Sequence, residues 1–393
     1  MLLRINQDVL PSDCAKLIEQ ASRAGVGSQV LLMASKRKFA GALFREACAL
    51  EAVIHLLRAR RLDVVRTYIP ADTQTLPLAL EEFVSQPSNY AAALHASRLE
   101  FANGAVIDAA SVSKLLEDRD AQNQNLDELA SRIGVSGVDL VSSYQTPNLL
   151  FPRALYFRPT QGELSVERLD KLAARCLQSS SAETAARWSE LFAALIDPVR
   201  AMLREVYENT DRHALTEIDG EPITHGVRGL SVRRLSIDRE KVTFESLFPE
   251  APQPMRLTVS AWSKRFAEKS AHIVEITVFD SGPGFAERFT RKKTEDLSLD
   301  AEYDAVETCF LEGASSALVR GRGKGLAEVA KIVALQCGVL RLRTGRTCIY
   351  APYRDDTQNR PVETRFTRLP GRVALPQLRG SIVSILIPVF ATS

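Results

Sequence analysis

Long apolar runs are missing from this chain, and its first residues are not typical of a secretory leader. Its longest apolar stretches, such as residues 382–390, are far shorter than the roughly 20 residues that a membrane-spanning helix needs. The first five residues become polar too soon to form a signal peptide. These two absences predict a cytoplasmic protein with no membrane partner.

Cysteine is scarce, and neither sign of charge dominates. The six cysteines are scattered, without a C-x-x-C pair or the spacing of metal ligands, which is typical of small buried side chains in a reducing compartment. A formal net charge of +2 gives no global field that would attract nucleic acid or an acidic membrane. Basic clusters at 36–38 and 58–61 leave a nucleic-acid partner open, although no aromatic residues are interleaved with them.

What is present is an ordinary globular composition, with 45% hydrophobic and 25% charged residues. A chain of 393 residues is too long for one small core, so two domains are the default expectation. Segments rich in proline or serine, at 146–152 and 178–181, are typical of a linker. We predict an N-terminal α/β module over 1–145, a connecting region over 146–181 and a second domain over 182–393.

A first candidate motif lies on a helix that the apolar spacing predicts from Pro198 to about Ala214. Glu205 and Asn209 are four residues apart, so they stack on one face of this helix beside its apolar stripe. The Asn carbonyl oxygen is a suitable ligand for Mg²⁺, and a Glu one turn away can take a proton from a water that attacks a phosphate. Taken alone, polar residues at the rim of an amphipathic helix explain the pair better.

A second motif ends a strand predicted over 272–279. Asp280 continues the parity of the apolar residues in this strand, so it should point to the buried face, where a carboxylate needs a hydrogen-bond donor. The amino group of adenine is such a donor, and Gly282 and Gly284 allow a tight turn and close approach of the backbone to a ligand. Taken alone, a turn in which Asp280 caps its own backbone is the more common explanation.

A third motif is a glycine-rich loop before a helix predicted over 325–336; it consists of Gly321, Arg322, Gly323, Lys324 and Gly325. Free N–H groups at the helix start and the charges of Arg322 and Lys324 suit an anion such as phosphate. The loop is not a Walker A loop, because no Gly-Lys-Ser/Thr follows the required gap, and no strand runs directly into it as in a Rossmann fold. Taken alone, a solvated basic loop is the better explanation.

Together, and in this order, the three motifs resemble the ATP-binding domain shared by DNA gyrase, the heat-shock ninety-kilodalton chaperone, histidine kinases and MutL, known as the histidine kinase-like ATPase or Bergerat fold. The matching residues are Glu205 and Asn209 for its Glu-x-x-x-Asn box, Asp280, Gly282 and Gly284 for Asp-x-Gly-x-Gly, and Gly321, Gly323 and Gly325 for Gly-x-Gly-x-Gly. A late Gly-Thr pair usually supports the adenine-binding aspartate. Here Gly380 and Ser381 keep its hydroxyl but lose its methyl group.

The resemblance implies an α/β fold in which the second domain is a two-layer sandwich with a mixed, largely antiparallel sheet. We expect its strands at 229–237, 255–262, 272–279, 339–344, 347–352 and 381–388. ATP and Mg²⁺ would lie between the layers, under a polar cover over 285–320 that orders on nucleotide binding. Asp280, Ser381 and the motif glycines, with Arg322 and Lys324, would bind the nucleotide; Asn209 would bind Mg²⁺, and Glu205 would act as the general base.

The leading functional hypothesis is a Mg²⁺-dependent ATPase whose hydrolysis drives a conformational switch that gates a protein partner or a homodimer. A conventional sensor histidine kinase is disfavoured, because neither His55 nor His95 is followed by an acidic residue. Two alternatives stay open. One is a serine kinase of the anti-sigma-factor type that acts on a small partner protein, and the other is an interaction module that binds ATP without hydrolysing it.

Overall fold

The structure is a computed structural model. It describes residues 2–6, 9–23, 29–34, 43–72, 74–122, 137–145, 148–150, 155–156, 164–177, 185–238, 243, 247, 250–266, 270–311, 324–353, 366–369 and 374–390. Within these ranges the fold is mixed α/β with two sheets, which confirms the predicted fold class. None of the helices described is both long and apolar enough to span a bilayer.

The N-terminal sheet has five strands in sequential order, β1 (Leu2–Ile5), β2 (Gln29–Met33), β3 (Leu62–Thr67), β4 (Arg98–Glu100) and β5 (Val106–Asp108). The first four strands are parallel and β5 is antiparallel to β4. Parallel neighbours need crossover connections. The helices that accompany this sheet are α1 (Pro11–Arg23), α2 (Arg45–Arg58), α3 (Leu76–Phe83), α4 (Pro87–His95) and α5 (Ala109–Gln122).

The second sheet has eight strands in the order β12-β11-β10-β13-β9-β8-β6-β7, and all neighbours are antiparallel. Its strands are β6 (Gly137–Gln145), β7 (Asn148–Leu150), β8 (His225–Asp238), β9 (Ser270–Asp280), β10 (Val339–Gly345), β11 (Thr347–Pro352), β12 (Thr367–Arg368) and β13 (Leu378–Val389). Most of the strands predicted in this half of the chain are therefore confirmed.

One face of the second sheet packs against four helices, α6 (Val166–Leu177), α7 (Ala185–Ala194), α8 (Ile196–His213) and α12 (Gly325–Leu335). The apolar stripe predicted on α8 is part of this core, since Val199, Met202, Leu203 and Val206 are all buried. Val274, Ile276 and Val278 of β9 lie in the same core, which fixes the face toward which Asp280 points.

The opposite face of this sheet is also covered, which the two-layer expectation did not include. Helices α2 and α4 of the N-terminal module pack on it, together with α9 (Gln253–Arg265). Polar residues that alternate with the apolar ones on β9 are consequently buried. Glu275 accepts a hydrogen bond from the backbone N of Phe44, which directly precedes α2. The second sheet thus lies between two helical layers.

The strand predicted over 255–262 is wrong, because this segment is helix α9. Its buried residues Met255, Thr258, Val259 and Trp262 follow helical spacing, and Pro254 occupies the first turn, where a missing N–H is tolerated. The burial over this segment follows the period of a helix, and that period decides which element forms.

The second sheet also begins earlier in the chain than the predicted boundary. Strand β6 falls inside the segment 1–145 that was assigned to the N-terminal module, yet it pairs with β8 along its whole length. Gln145 faces Asn148 across the β6–β7 hairpin. The proline-marked residues 146–147, which lie outside the described residues, therefore connect two strands of one sheet, because a proline signal does not tell whether it joins strands or domains.

Candidate functional site

Helix α8 carries the first motif on the edge between its buried face and solvent. Glu205 and Asn209 are both partly exposed, one turn apart, while Val206 and Tyr207 between them are buried. This is the placement that the spacing predicted. A carboxylate and an amide oxygen are thus presented side by side at the surface of a rigid helix.

Asp280 ends strand β9 and lies at the base of the site, with 8% of its surface exposed. Its Oδ1 accepts a hydrogen bond from Gly282 N at 2.8 Å, and its Oδ2 accepts none from the residues that the structure describes. Burial raises the pKa of the Asp280 carboxyl to about 6, although the Gly282 N–H and three nearby arginines oppose the rise. A buried, incompletely bonded carboxylate of this kind suits a ligand that donates a hydrogen bond.

The turn after β9 needs its glycines. A Cβ added at Gly282 would lie 2.8 Å from the Cα of Ala214, so the turn packs directly on the residue that ends α8. Gly284 has φ +90°, and a Cβ there would also meet Thr344 Oγ1 at 2.7 Å. The glycines of the second motif therefore let the turn pack closely on the C-terminal end of α8 and on Thr344, while close approach to a ligand stays a prediction.

Helix α12 begins at Gly325, with Lys324 exposed just before it. A Cβ added at Gly325 would lie 1.9 Å from Glu205 Oε2, so the carboxylate of the first motif touches the last glycine of the third. Gly321, Arg322 and Gly323 lie outside the described residues. The free N–H groups at the start of α12 thus face the same edge of α8 as Glu205.

These contacts order the site along α8. Glu205 meets the start of α12, Asn209 lies one turn further on, and Ala214 meets the Asp280 turn. Nine residues separate Glu205 from Ala214, which corresponds to about 13 Å along a helix axis at ~1.5 Å per residue. An extended nucleoside triphosphate has a comparable length.

Ser381 lies directly opposite Asp280 in the register of β13 and β9. Its hydroxyl is 3.2 Å from Thr344 Oγ1, however, and makes no hydrogen bond with the Asp280 carboxylate. Thr344 was not identified from the sequence. Its Oγ1 donates to Gly380 O at 3.0 Å and accepts from Phe285 N at 3.1 Å, so it joins the Gly-Ser pair to the segment that leaves the Asp280 turn.

Two arginines near Asp280 were also missed, one of them buried and the other partly exposed. Arg228 lies opposite Asp280 on β8, is fully buried and forms an ion pair with Asp211 of α8. Arg288 donates hydrogen bonds to the carbonyl oxygens of His213 and Thr216, which satisfies the C-terminal end of α8. No sequence motif marks either residue, because each acts through partners that are distant along the chain.

The predicted cover begins as packed structure. Residues 285–311 contain α10 (Phe285–Thr290), a 3₁₀ turn (Thr294–Asp296) and α11 (Leu299–Thr308). Glu302 is fully buried and accepts hydrogen bonds from Arg346 N at 2.6 Å and from Arg346 Nε at 2.8 Å. This part is therefore fixed to the β10–β11 turn, and only 312–320 of the predicted cover lie outside the described residues.

A metal at this site would depend on few protein ligands. Among the described residues no group of three His, Cys, Asp or Glu side chains converges on a point. Asn209 would supply one oxygen ligand to a Mg²⁺ that takes its remaining ligands from phosphates and water.

No protein-family model, curated protein or solved structure matches the chain. Its function is therefore inferred from the residues and geometry of the site.

Proposed function

We propose that this chain binds ATP with Mg²⁺ along the exposed edge of α8 and hydrolyses it. The observation that carries the proposal is the order of contacts on α8, with the start of α12 at Glu205 and the Asp280 turn at Ala214. This order fits a ligand with an anionic end and a hydrogen-bond-donating end. ATP is such a ligand, since its triphosphate is anionic and its adenine amino group donates hydrogen bonds.

The role that we propose for each residue follows from its position in the site. Asp280 accepts a hydrogen bond from the adenine amino group, and the backbone at Gly282 and Gly284 closes around the base. The first N–H groups of α12 and Lys324 bind phosphate oxygens. Asn209 would hold Mg²⁺, which would neutralise part of the charge on the phosphates. Glu205 also takes the proton of the attacking water.

The six cysteines are all free, and five of them are buried, which supports a reducing, cytoplasmic setting. Nucleotide occupancy changes the contacts between α8, α12 and the cover, and we propose that this change gates a protein partner.

The test uses the purified full chain with Mg²⁺ and ATP, and measures nucleotide binding by calorimetry and steady-state phosphate release. Glu205→Ala is expected to retain binding and to lose hydrolysis by about 10²-fold or more. Glu208→Ala is the matched control, because Glu208 lies on the same helix but pairs with Arg204 and Arg212 at the surface.

Absence of Mg²⁺-dependent affinity for adenine nucleotides in the wild type would overturn the proposal. Binding of ATP without phosphate release would identify the protein as an interaction module that binds ATP and does not hydrolyse it. Transfer of label from γ-labelled ATP to a copurifying protein would identify a kinase instead.

A further inference from the structure

Helix α2 of the N-terminal module presents three polar residues on one face. Glu51, His55 and Arg58 are spaced at i, i+4 and i+7, so their side chains point in the same direction. This face packs on the second sheet and not on solvent, since Glu51 is 5% and the Arg58 side chain 9% exposed. Each of the three contacts a different segment that builds the candidate nucleotide site.

Glu51 reaches the β10–β11 hairpin. Its carboxylate pairs with Arg341 and with Arg343, whose Nε lies 3.2 Å from Glu51 Oε2. Arg343 in turn donates to the carbonyl oxygens of Gly345 and Thr347, which form the turn of this hairpin. The same hairpin carries Thr344, which holds the start of the cover.

His55 reaches the segment before β13. Its Nδ1 lies 3.1 Å from the carbonyl oxygen of Gln377, and its Nε2 lies 3.3 Å from Ser22 Oγ. A carbonyl oxygen only accepts, so Nδ1 carries a proton, while the Ser22 hydroxyl donates its own proton to Ile18 O at 2.9 Å. Gln377 is four residues before Ser381, the cross-strand neighbour of Asp280.

Arg58 reaches the loop that follows α8. It forms an ion pair with Glu217 and also lies 3.5 Å from the carbonyl oxygen of His225. Residues 215–223 fold back as a small hairpin, in which Ile223 N bonds to Leu215 O at 3.0 Å. This hairpin starts next to Ala214, the residue on which the Asp280 turn packs.

We propose that Arg58 is a positioning residue of the nucleotide site, through which the N-terminal module sets the affinity for the adenine end of ATP. This inference rests on the proposed function. Arg58 holds the 215–223 hairpin from the side of the N-terminal module, while Arg288 holds the residues at the end of α8 from the side of α10. The 215–223 hairpin and the end of α8, which lie beside the Asp280 turn, are therefore held from both parts of the chain. A movement of α2 would move this hairpin.

The test compares Arg58→Met, Glu217→Gln and the double variant in the full chain, with Mg-ATP and Mg-ADP as probes. Each single change is expected to raise the dissociation constant about 5-fold or more, with kcat little changed, because the chemistry lies at the other end of α8. The double variant is expected to be no weaker than the single variants. Glu217→Gln keeps the positive charge of Arg58 near Asp280, so it separates hairpin positioning from direct electrostatic attraction.

Arg61→Met is the matched control. Arg61 follows the same helix but donates to Ala21 O inside the N-terminal module, so its loss should leave nucleotide affinity unchanged. Hydrogen exchange of 214–224 in the nucleotide-free protein should be faster in Arg58→Met and Glu217→Gln than in wild type. If the wild type binds nucleotide and both variants bind equally well, the positioning role is wrong while the proposed function stands. A wild type that binds no nucleotide overturns both.

Discussion

The carboxylate of Glu205 lies against the backbone of Gly325, so closely that a Cβ on this glycine would come within 1.9 Å of Oε2. The preference for glycine at position 325 therefore comes from the nearby Glu205 side chain. The backbone of Gly325 does not have a positive φ that would favour glycine. The contact places the candidate base at the positive end of α12, where the helix dipole favours a negative charge.

Gly325→Ala is expected to keep the protein folded while it damages hydrolysis. The clash involves the far end of a flexible side chain, so Glu205 can turn away, and alanine favours the helix by up to ~1 kcal/mol. A displaced base should lower kcat by about 100-fold. Thermal unfolding and phosphate release measure the two effects. Gly338→Ala is the contrasting variant, because its Cβ would meet the backbone oxygen of Leu386 at 2.6 Å, and it should lose stability instead.

Asp280→Asn is expected to abolish adenine nucleotide binding and to stabilise the fold at pH 8. Burial raises the pKa of Asp280 from 3.8 to about 6, so the native state binds more protons than the unfolded state between these values, and the free energy of unfolding falls as pH rises through them. The full penalty, about 3 kcal/mol at ~1.36 kcal/mol per unit, is present above pH 6.

Thermal unfolding of both proteins from pH 4 to pH 8 measures this effect. The advantage of Asp280→Asn should grow between pH 4 and 6 and then level off. Asp72→Asn provides a control of opposite sign, because hydrogen bonds from Thr75 lower the pKa of Asp72. A pH-independent difference for Asp280→Asn would contradict the raised pKa.

Glu51→Ala is expected to be among the most damaging changes in the interface between α2 and the second sheet. It would leave Arg341 and Arg343 buried without their carboxylate, which costs about 3–5 kcal/mol for a buried pair. Glu19→Ala removes an exposed pair with Arg23 and should cost under about 0.5 kcal/mol. Denaturant unfolding compares the two, and equal losses would show that α2 is not held by this ion pair.

Thr344→Val is expected to loosen the start of the cover. The change removes the acceptor for Phe285 N and the donor to Gly380 O, and leaving such buried groups unpaired costs about 1–3 kcal/mol. Hydrogen exchange in 285–290 and urea unfolding measure the loss. Thr308→Val is the control, because among the described residues the Thr308 hydroxyl bonds to Asp304 O alone, on an exposed helix face.

Local patterns in the sequence predicted much of the second domain. Helix α8, strand β9 with Asp280 at its end, and the start of α12 at Gly325 all follow from apolar spacing and glycine placement, because these signals act between residues a few positions apart. Helix α9 carried the same kind of signal in the spacing of its buried residues. That spacing, and not the strand predicted at 255–262, agrees with the structure.

The sequence by itself determined which elements form and which face of each is apolar, and so it determined the candidate motifs. Only the tertiary structure decided that β6 joins the second sheet and that α2 covers the second face of that sheet. It also decided that the Ser381 hydroxyl lies beside Thr344 and makes no hydrogen bond with the Asp280 carboxylate. The physical reason is that ion pairs and close backbone contacts depend on position in space. Arg341 and Glu51 are 290 residues apart, and Arg58 and Glu217 are 159 apart, so no periodicity along the chain records either pair.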